Sequence, residues 1–156
     1  AAMSELMRIA LAEAGLAVKA VYPYPGVAAV LAKDGHLLLR CHNDPPGAGR
    51  HAEVKLFDEA QARDYDLSKC VLYTNLEPCP NRGLTHSCVK ALIEVGIREV
   101  RVALLDPYHL VRGQGIEQLK AAGVNVVLGE MADEARWQNR RYLERFCPHC
   151  GWPVVD

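Results

Sequence analysis

A surplus of either charge is missing from this chain of 156 residues: 18 Lys and Arg face 19 Asp and Glu, for a formal net charge of -1. Without a basic excess there is no electrostatic footprint for a long polyanion, which argues against a nucleic-acid partner. No apolar run reaches the ~18 residues of a membrane span, and the N-terminus lacks the basic-then-apolar pattern of a secretory leader. The expectation is a cytoplasmic protein with no membrane association. A need for a disulfide framework is also missing. The six, at positions 41, 70, 79, 88, 147 and 150, sit in a chain long enough to bury roughly 70% of its unfolded surface as one domain, which needs no covalent staple. A reducing compartment fits them better.

Against these absences stand two short stretches, His51-Ala52-Glu53 and Pro78-Cys79 followed by Cys88. Either fragment alone is common. Together they supply an imidazole, two thiols and a carboxylate, and His51, Cys79 and Cys88 suit a zinc ion with three protein ligands, leaving a position for water, as in a catalytic rather than a closed structural site. Glu53 is then the group left over to move protons. All three ligand candidates fall at the ends of expected elements, where side chains can converge.

Taken in order, the chain reads as alternating elements. The 3.6 period predicts a helix over 4–15, capped by Ser4 and ended by Gly15. The runs Val27 to Leu31 and Leu37 to Arg40, joined through Lys33-Asp34-Gly35, predict two antiparallel strands with an Asp-Gly turn. A polar stretch from His42 to Gly49 is a loop leading to His51. A helix is expected from His51 to about Arg63, with the ligand and the acid in its first turn, where the macrodipole favours Glu53. Val71-Leu72-Tyr73 is a buried strand that delivers Leu76-Glu77-Pro78-Cys79. Thr85 is the expected cap of a helix through Val95, with Cys88 in its first turn. A strand over 100–105, a helix over 116–122, a strand over 124–128 and one last helix over 132–146 complete the chain. This β-α-β-α order with short links predicts parallel late strands with helices on both faces of one sheet. Gly113-Gln114-Gly115 lacks the third glycine of a dinucleotide loop, so that reading is set aside.

With these residues in place, the chain resembles the deaminase domain of the bifunctional riboflavin-biosynthesis deaminase/reductase family, within the cytidine-deaminase-like superfamily. The resemblance runs from about Met7 to Leu143. It rests on Gly26-Val27-Ala28-Ala29-Val30 with Lys33-Asp34-Gly35, on His51-Ala52-Glu53-Val54, and on Leu76-Glu77-Pro78-Cys79 with residues 80–87 intervening before Cys88. Asp106-Pro107, Gly113-Gln114-Gly115-Ile116 and Leu119 to Val126 add to it. The long gap before Cys88 marks this branch, since other branches use a Cys-x-x-Cys spacing. The resemblance implies a three-layer α/β/α fold on a mixed sheet of about five strands, a zinc deaminase domain over 3–146, zinc at His51, Cys79 and Cys88, and Glu53 as proton shuttle. It also implies that backbone groups around Leu76-Glu77-Pro78 hold the leaving amino group, and that His42 lies near the substrate.

Departures from the family shape the substrate expectation. Tyr24 replaces an asparagine between two prolines, Asp106-Pro107-Tyr108-His109 replaces Asp-Pro-Asn-Pro, Leu84 stands where a basic residue is usual, and Pro80-Asn81 replaces Ser-His. The expected substrate contacts are therefore Tyr24, His42, Asn43, Glu77, Pro78, Leu84 and Tyr108. The expected reaction is hydrolytic loss of ammonia from a small aminopyrimidine, pterin-like or nucleoside-like amine, by a divergent stand-alone member that forms a homodimer or higher homo-oligomer. Three alternatives stand beside it: the riboflavin-pathway phosphate deaminase, a base deaminase acting on RNA or DNA, and a non-catalytic zinc module, which would have no need of Glu53. The tail, 147–156, carries Cys147-Pro148-His149-Cys150, half of a zinc ribbon. Cys147 and Cys150 are read either as ligands of a second metal, completed by His149 with Cys41 or Cys70 or by a partner chain, or as free thiols or a disulfide.

Overall fold

The computed structural model describes residues 3–45, 50–80, 87–107 and 112–144. Helix α1 (Met3–Gly15) and a short α2 (Val18–Val21) precede β1 (Ala28–Lys33) and β2 (His36–His42). Then come α3 (Ala52–Ala62), β3 (Val71–Thr74), α4 (Cys88–Glu94), β4 (Glu99–Val102), α5 (Gln114–Ala121), β5 (Asn125–Leu128), α6 (Ala132–Gln138) and α7 (Arg140–Leu143). The five strands form one sheet in the order β2-β1-β3-β4-β5. β1 is antiparallel to both β2 and β3, whereas β3, β4 and β5 run parallel.

The strand periodicity sorts side chains to two faces. Ala29 and Leu31 of β1 join Leu72, Val100 and Val102 beneath Leu56 and Ala60 of α3, Val89 and Leu92 of α4, and Ile116 and Leu119 of α5. Val30 and Ala32, one residue out of phase, pack with Tyr73 against Leu6, Met7, Ala10 and Leu11 of α1 and Ala135 of α6. Successive strand residues point to opposite faces, so these two cores are the two sides of a three-layer α/β/α sandwich. Leu56, Leu72, Leu92 and Leu119 are fully buried, and truncating any of them to alanine would cost about 2–5 kcal/mol.

The β1–β2 turn follows its sequence signal. Asp34 and Gly35 both take positive φ, 51 and 78 degrees, and Lys33 pairs with His36, the geometry of a type I′ hairpin. Three expectations are corrected. The helix holding Cys88 is capped by Ser87, whose side chain accepts from the Lys90 N–H, not by Thr85, which lies outside the described residues. The first helix already includes Met3, so Ser4 falls inside it. The single last helix over 132–146 is broken at Asn139 into α6 and α7. The break has a cause: the Asn139 side chain accepts from Gly26 N–H at 2.9 Å and donates to Gly26 O at 2.8 Å. Its backbone, at φ -103 and ψ 26, leaves the helical region.

Candidate metal and active site

Three chain segments meet at the ends of β1 and β3. His51 occupies the N-cap position of α3 with extended φ and ψ and no side-chain cap bond. Glu53, in the first turn, is 2% exposed. β3 runs into Asn75-Leu76-Glu77-Pro78-Cys79, and Cys79 is fastened to the first turn of α4. Val89 N–H donates to Cys79 O at 3.1 Å, Ser87 Oγ donates to the same carbonyl at 3.3 Å, and Cys88 N–H donates to Cys79 Sγ at 3.2 Å.

The ligand atoms of His51, Cys79 and Cys88 lie within 4.8 Å of one another. His51 Nδ1 is 3.2 Å from Cys88 Sγ and 3.9 Å from Cys79 Sγ. Tetrahedral zinc, with bonds of about 2.3 Å to sulfur and 2.0–2.1 Å to nitrogen, holds such atoms about 3.5–3.8 Å apart, so the donor set and its spacing fit zinc. Exposure is graded, with Cys88 buried, Cys79 intermediate and His51 exposed, so the open side is the imidazole side. Cys88 Sγ lies 3.1 Å from Glu53 Oε2, which puts the carboxyl beside the ligand cluster without making it part of it.

The electrostatics suit a metal that binds thiolate. Hydrogen bonding from the Cys88 thiol, then from His51, pulls Cys79 down to about 4. Cys88, holding the proton toward Cys79 and deeply buried, is pushed up. His51 is raised by its hydrogen bond with Cys79. Glu53 is raised by burial, against the pull of the Cys88 hydrogen bond. A carboxyl raised above its ordinary range keeps a proton more readily, which suits a group that must both take and return one.

The remaining expected contacts fare differently. Glu77 is 4% exposed, and its carboxylate accepts from four backbone N–H groups, those of Asp106, Gly113, Gly115 and Ile116, at 2.8–3.3 Å. Pro78 O stands so near Gly115 that an ideal Cβ there would lie 2.2 Å away. Asn43 is a strut: its Oδ1 accepts from Val27 N–H and its Nδ2 donates to Pro25 O, both at 2.9 Å. His42 pairs across the sheet with Ala28, and its Nδ1 contacts the carboxylate of Glu13 on α1, so its side chain is engaged on the α1 layer. Tyr24 is 60% exposed. Leu84, Tyr108, Cys147 and Cys150 lie outside the described residues.

Several residues at the site carry no local sequence signal. Lys55, one turn into α3, donates to His42 O and Asp44 Oδ1, both at 2.8 Å, and so holds the approach loop to the helix. Asn75, 1% exposed, accepts from Ala28 N–H and donates to Gly26 O at 2.9 Å. Ser87 was legible as a helix cap, being a serine directly before Cys88.

Residues 2–104 match the family model described as the cytidine and deoxycytidylate deaminase zinc-binding region. The chain is 36% identical to riboflavin biosynthesis protein RibD of Aquifex aeolicus over 137 residues, covering 88% of this chain and 37% of that protein. It therefore spans little more than a third of the length of that curated relative. Among solved structures, it superposes on the diaminohydroxyphosphoribosylaminopyrimidine deaminase/5-amino-6-(5-phosphoribosylamino)uracil reductase of Thermotoga maritima with a TM-score of 0.83 at 30% identity, covering 89% of this chain and 39% of that one. A guanine deaminase from Nitrosomonas europaea gives a TM-score of 0.71 at 25% identity, covering 91% of this chain and 85% of that one.

Proposed function

The chain belongs to the cytidine and deoxycytidylate deaminase zinc-binding family, and on that premise we propose that it is a hydrolytic deaminase of a small heterocyclic amine. The observation that carries the reading is the pairing of a three-ligand cluster, His51, Cys79 and Cys88 within 4.8 Å, with a buried acid 3.1 Å from one ligand sulfur. His51, Cys79 and Cys88 would hold zinc, whose chemistry at such a site is to bring the pKa of a water to about 7. Glu53 takes a proton from the attacking water and passes it to the ring nitrogen next to the amine-bearing carbon; it then takes the proton of the newly formed hydroxyl and delivers it to the departing amine. Water adds to that carbon, the C–N bond breaks, and a carbonyl and ammonia remain. Burial keeps Glu53 out of bulk water, so its proton moves to substrate rather than to solvent.

For the substrate, an aminopyrimidine, aminopurine, pterin-like or nucleoside-like amine is proposed, with a homodimer or higher homo-oligomer as the working form. The riboflavin-pathway phosphate is the second reading, favoured by the 36% identity to a riboflavin biosynthesis protein and opposed by Tyr24 and Leu84, which stand where that family has an asparagine and a basic residue. Among described residues near His51, Arg50 is paired with Asp58 and Lys55 with Asp44, which leaves less charge for a phosphate. The even balance of charge opposes a nucleic-acid substrate. The test is ammonia release from a panel of such amines by zinc-loaded protein, including matched phosphorylated and unphosphorylated pairs. Turnover of an unphosphorylated compound is expected. Turnover of the riboflavin intermediate alone overturns the substrate assignment, and no turnover at full zinc occupancy favours a non-catalytic zinc module.

A further inference from the structure

We infer that Glu77 is a positioning residue: its carboxylate ties the Pro78-Cys79 turn to the start of α5, so that the seat of the Cys79 ligand is set from the far side of the turn. α5 begins at Gly113, an N-cap at φ 84 with no side chain to cap its first turn. The cap comes instead from 36 residues upstream. Oε1 of Glu77 accepts from Gly113 N–H at 2.8 Å and Asp106 N–H at 3.2 Å, while Oε2 accepts from Gly115 N–H at 3.0 Å and Ile116 N–H at 3.3 Å. An acid serves better than an amide here, because both oxygens face only donors. The backbone is held too, with Glu77 N–H on Leu104 O at 2.9 Å. Gly115 completes the joint, since any Cβ there would meet Pro78 O at 2.2 Å and Glu77 Oε2 at 3.3 Å. Cys79, the next residue after Pro78, is thus gripped by α4 on one side and referenced to α5 on the other. Removing a partner that orients a metal ligand typically costs about 10- to 100-fold in metal affinity.

This inference rests on the zinc assignment made above, and the experiment separates the two. Wild type, Glu77→Gln, Gly115→Ala and a control, Leu119→Ala, are compared. Leu119→Ala destabilises the same helix through a fully buried side chain without touching the clamp. Each is loaded with Co2+ alone and its absorption spectrum recorded; separately, zinc release to a chelator is timed and the melting temperature measured. The expected result is a thiolate–cobalt spectrum in wild type, an altered d–d envelope in Glu77→Gln and Gly115→Ala, and zinc release about 10- to 100-fold faster in both. Leu119→Ala should melt lower with wild-type spectrum and release rate. If wild type takes up no metal, the zinc assignment fails and the inference with it. If wild type binds metal and Glu77→Gln matches it, or Leu119→Ala speeds release as much, the positioning role alone is overturned. Should Glu77→Gln not fold, Gly115→Ala decides by the same readouts.

Discussion

Replacing Glu53 with glutamine should separate chemistry from architecture. The side chain is 2% exposed, and the Cys88 sulfur lies 3.1 Å from its Oε2. Glutamine has the same shape, and its amide N–H can donate to the Cys88 sulfur, thiolate included, so the fold and the three ligands are retained. What is lost is the exchangeable proton. A positioned general acid–base group contributes about 10²–10⁴-fold, equivalent to roughly 3–5 kcal/mol of barrier at about 1.36 kcal/mol per decade. Because Glu53 is asked to serve both the attack and the departure of ammonia, kcat should fall by at least about 10³-fold. The assay is steady-state ammonia release, with zinc measured by elemental analysis on the same sample. A second arm uses the metal-free protein and pH. Burial raises Glu53 in the folded state, so the folded chain holds this proton more tightly than the unfolded one. Its contribution to stability is complete below the ordinary carboxyl range and is lost as pH rises through the folded value. Urea midpoints of the metal-free glutamine variant and wild type should therefore converge in acid, and the variant should become the more stable of the two as pH rises. Near-normal turnover at full zinc occupancy would refute the proton-shuttle role, and a stability gap that ran the other way with pH would refute the burial argument.

Cys79→Ala and Cys88→Ala should each lower bound zinc together with activity, measured by elemental analysis; full occupancy in both would refute the ligand set. Gly26→Ala adds a Cβ 2.7 Å from Val18 Cγ2 and 2.8 Å from Ala14 O, an overpacking expected to cost about 1–3 kcal/mol in urea unfolding. Asn139→Ala removes both of its bonds to Gly26 and leaves a buried N–H without its acceptor, a loss of about 1–3 kcal/mol by the same measurement; an unchanged midpoint would refute the stabilising role given to those bonds. For the tail, a zinc-to-chain ratio that drops in a Cys147→Ser, Cys150→Ser double variant while activity persists would establish a second, structural metal, and an unchanged ratio would leave those cysteines as thiols or a disulfide.

The sequence by itself determined the elements that local chemistry controls and the identity of the metal cluster. Asp34-Gly35 dictates its turn because few residue pairs tolerate two positive φ values in succession. Alternation of Ala29, Val30, Leu31 and Ala32 between the two cores is carried by the period of a strand, and the His-x-Glu and Pro-Cys fragments fix which donors can converge. Polar side chains with distant partners were decided by the tertiary structure alone. Nothing in the spacing around Glu77 announces four backbone donors from residues 106–116. Nothing near Asn139 reveals that its amide is committed to Gly26, 113 residues away, although that commitment is what breaks the last helix. Nothing in the sequence around Asn43 and His42 announces that their side chains bond to Val27, Pro25 and Glu13. The reason is physical: a periodic apolar pattern needs only a generic surface to bury against, whereas a hydrogen bond needs one particular atom within about 3 Å, and only the folded chain decides which atom arrives there.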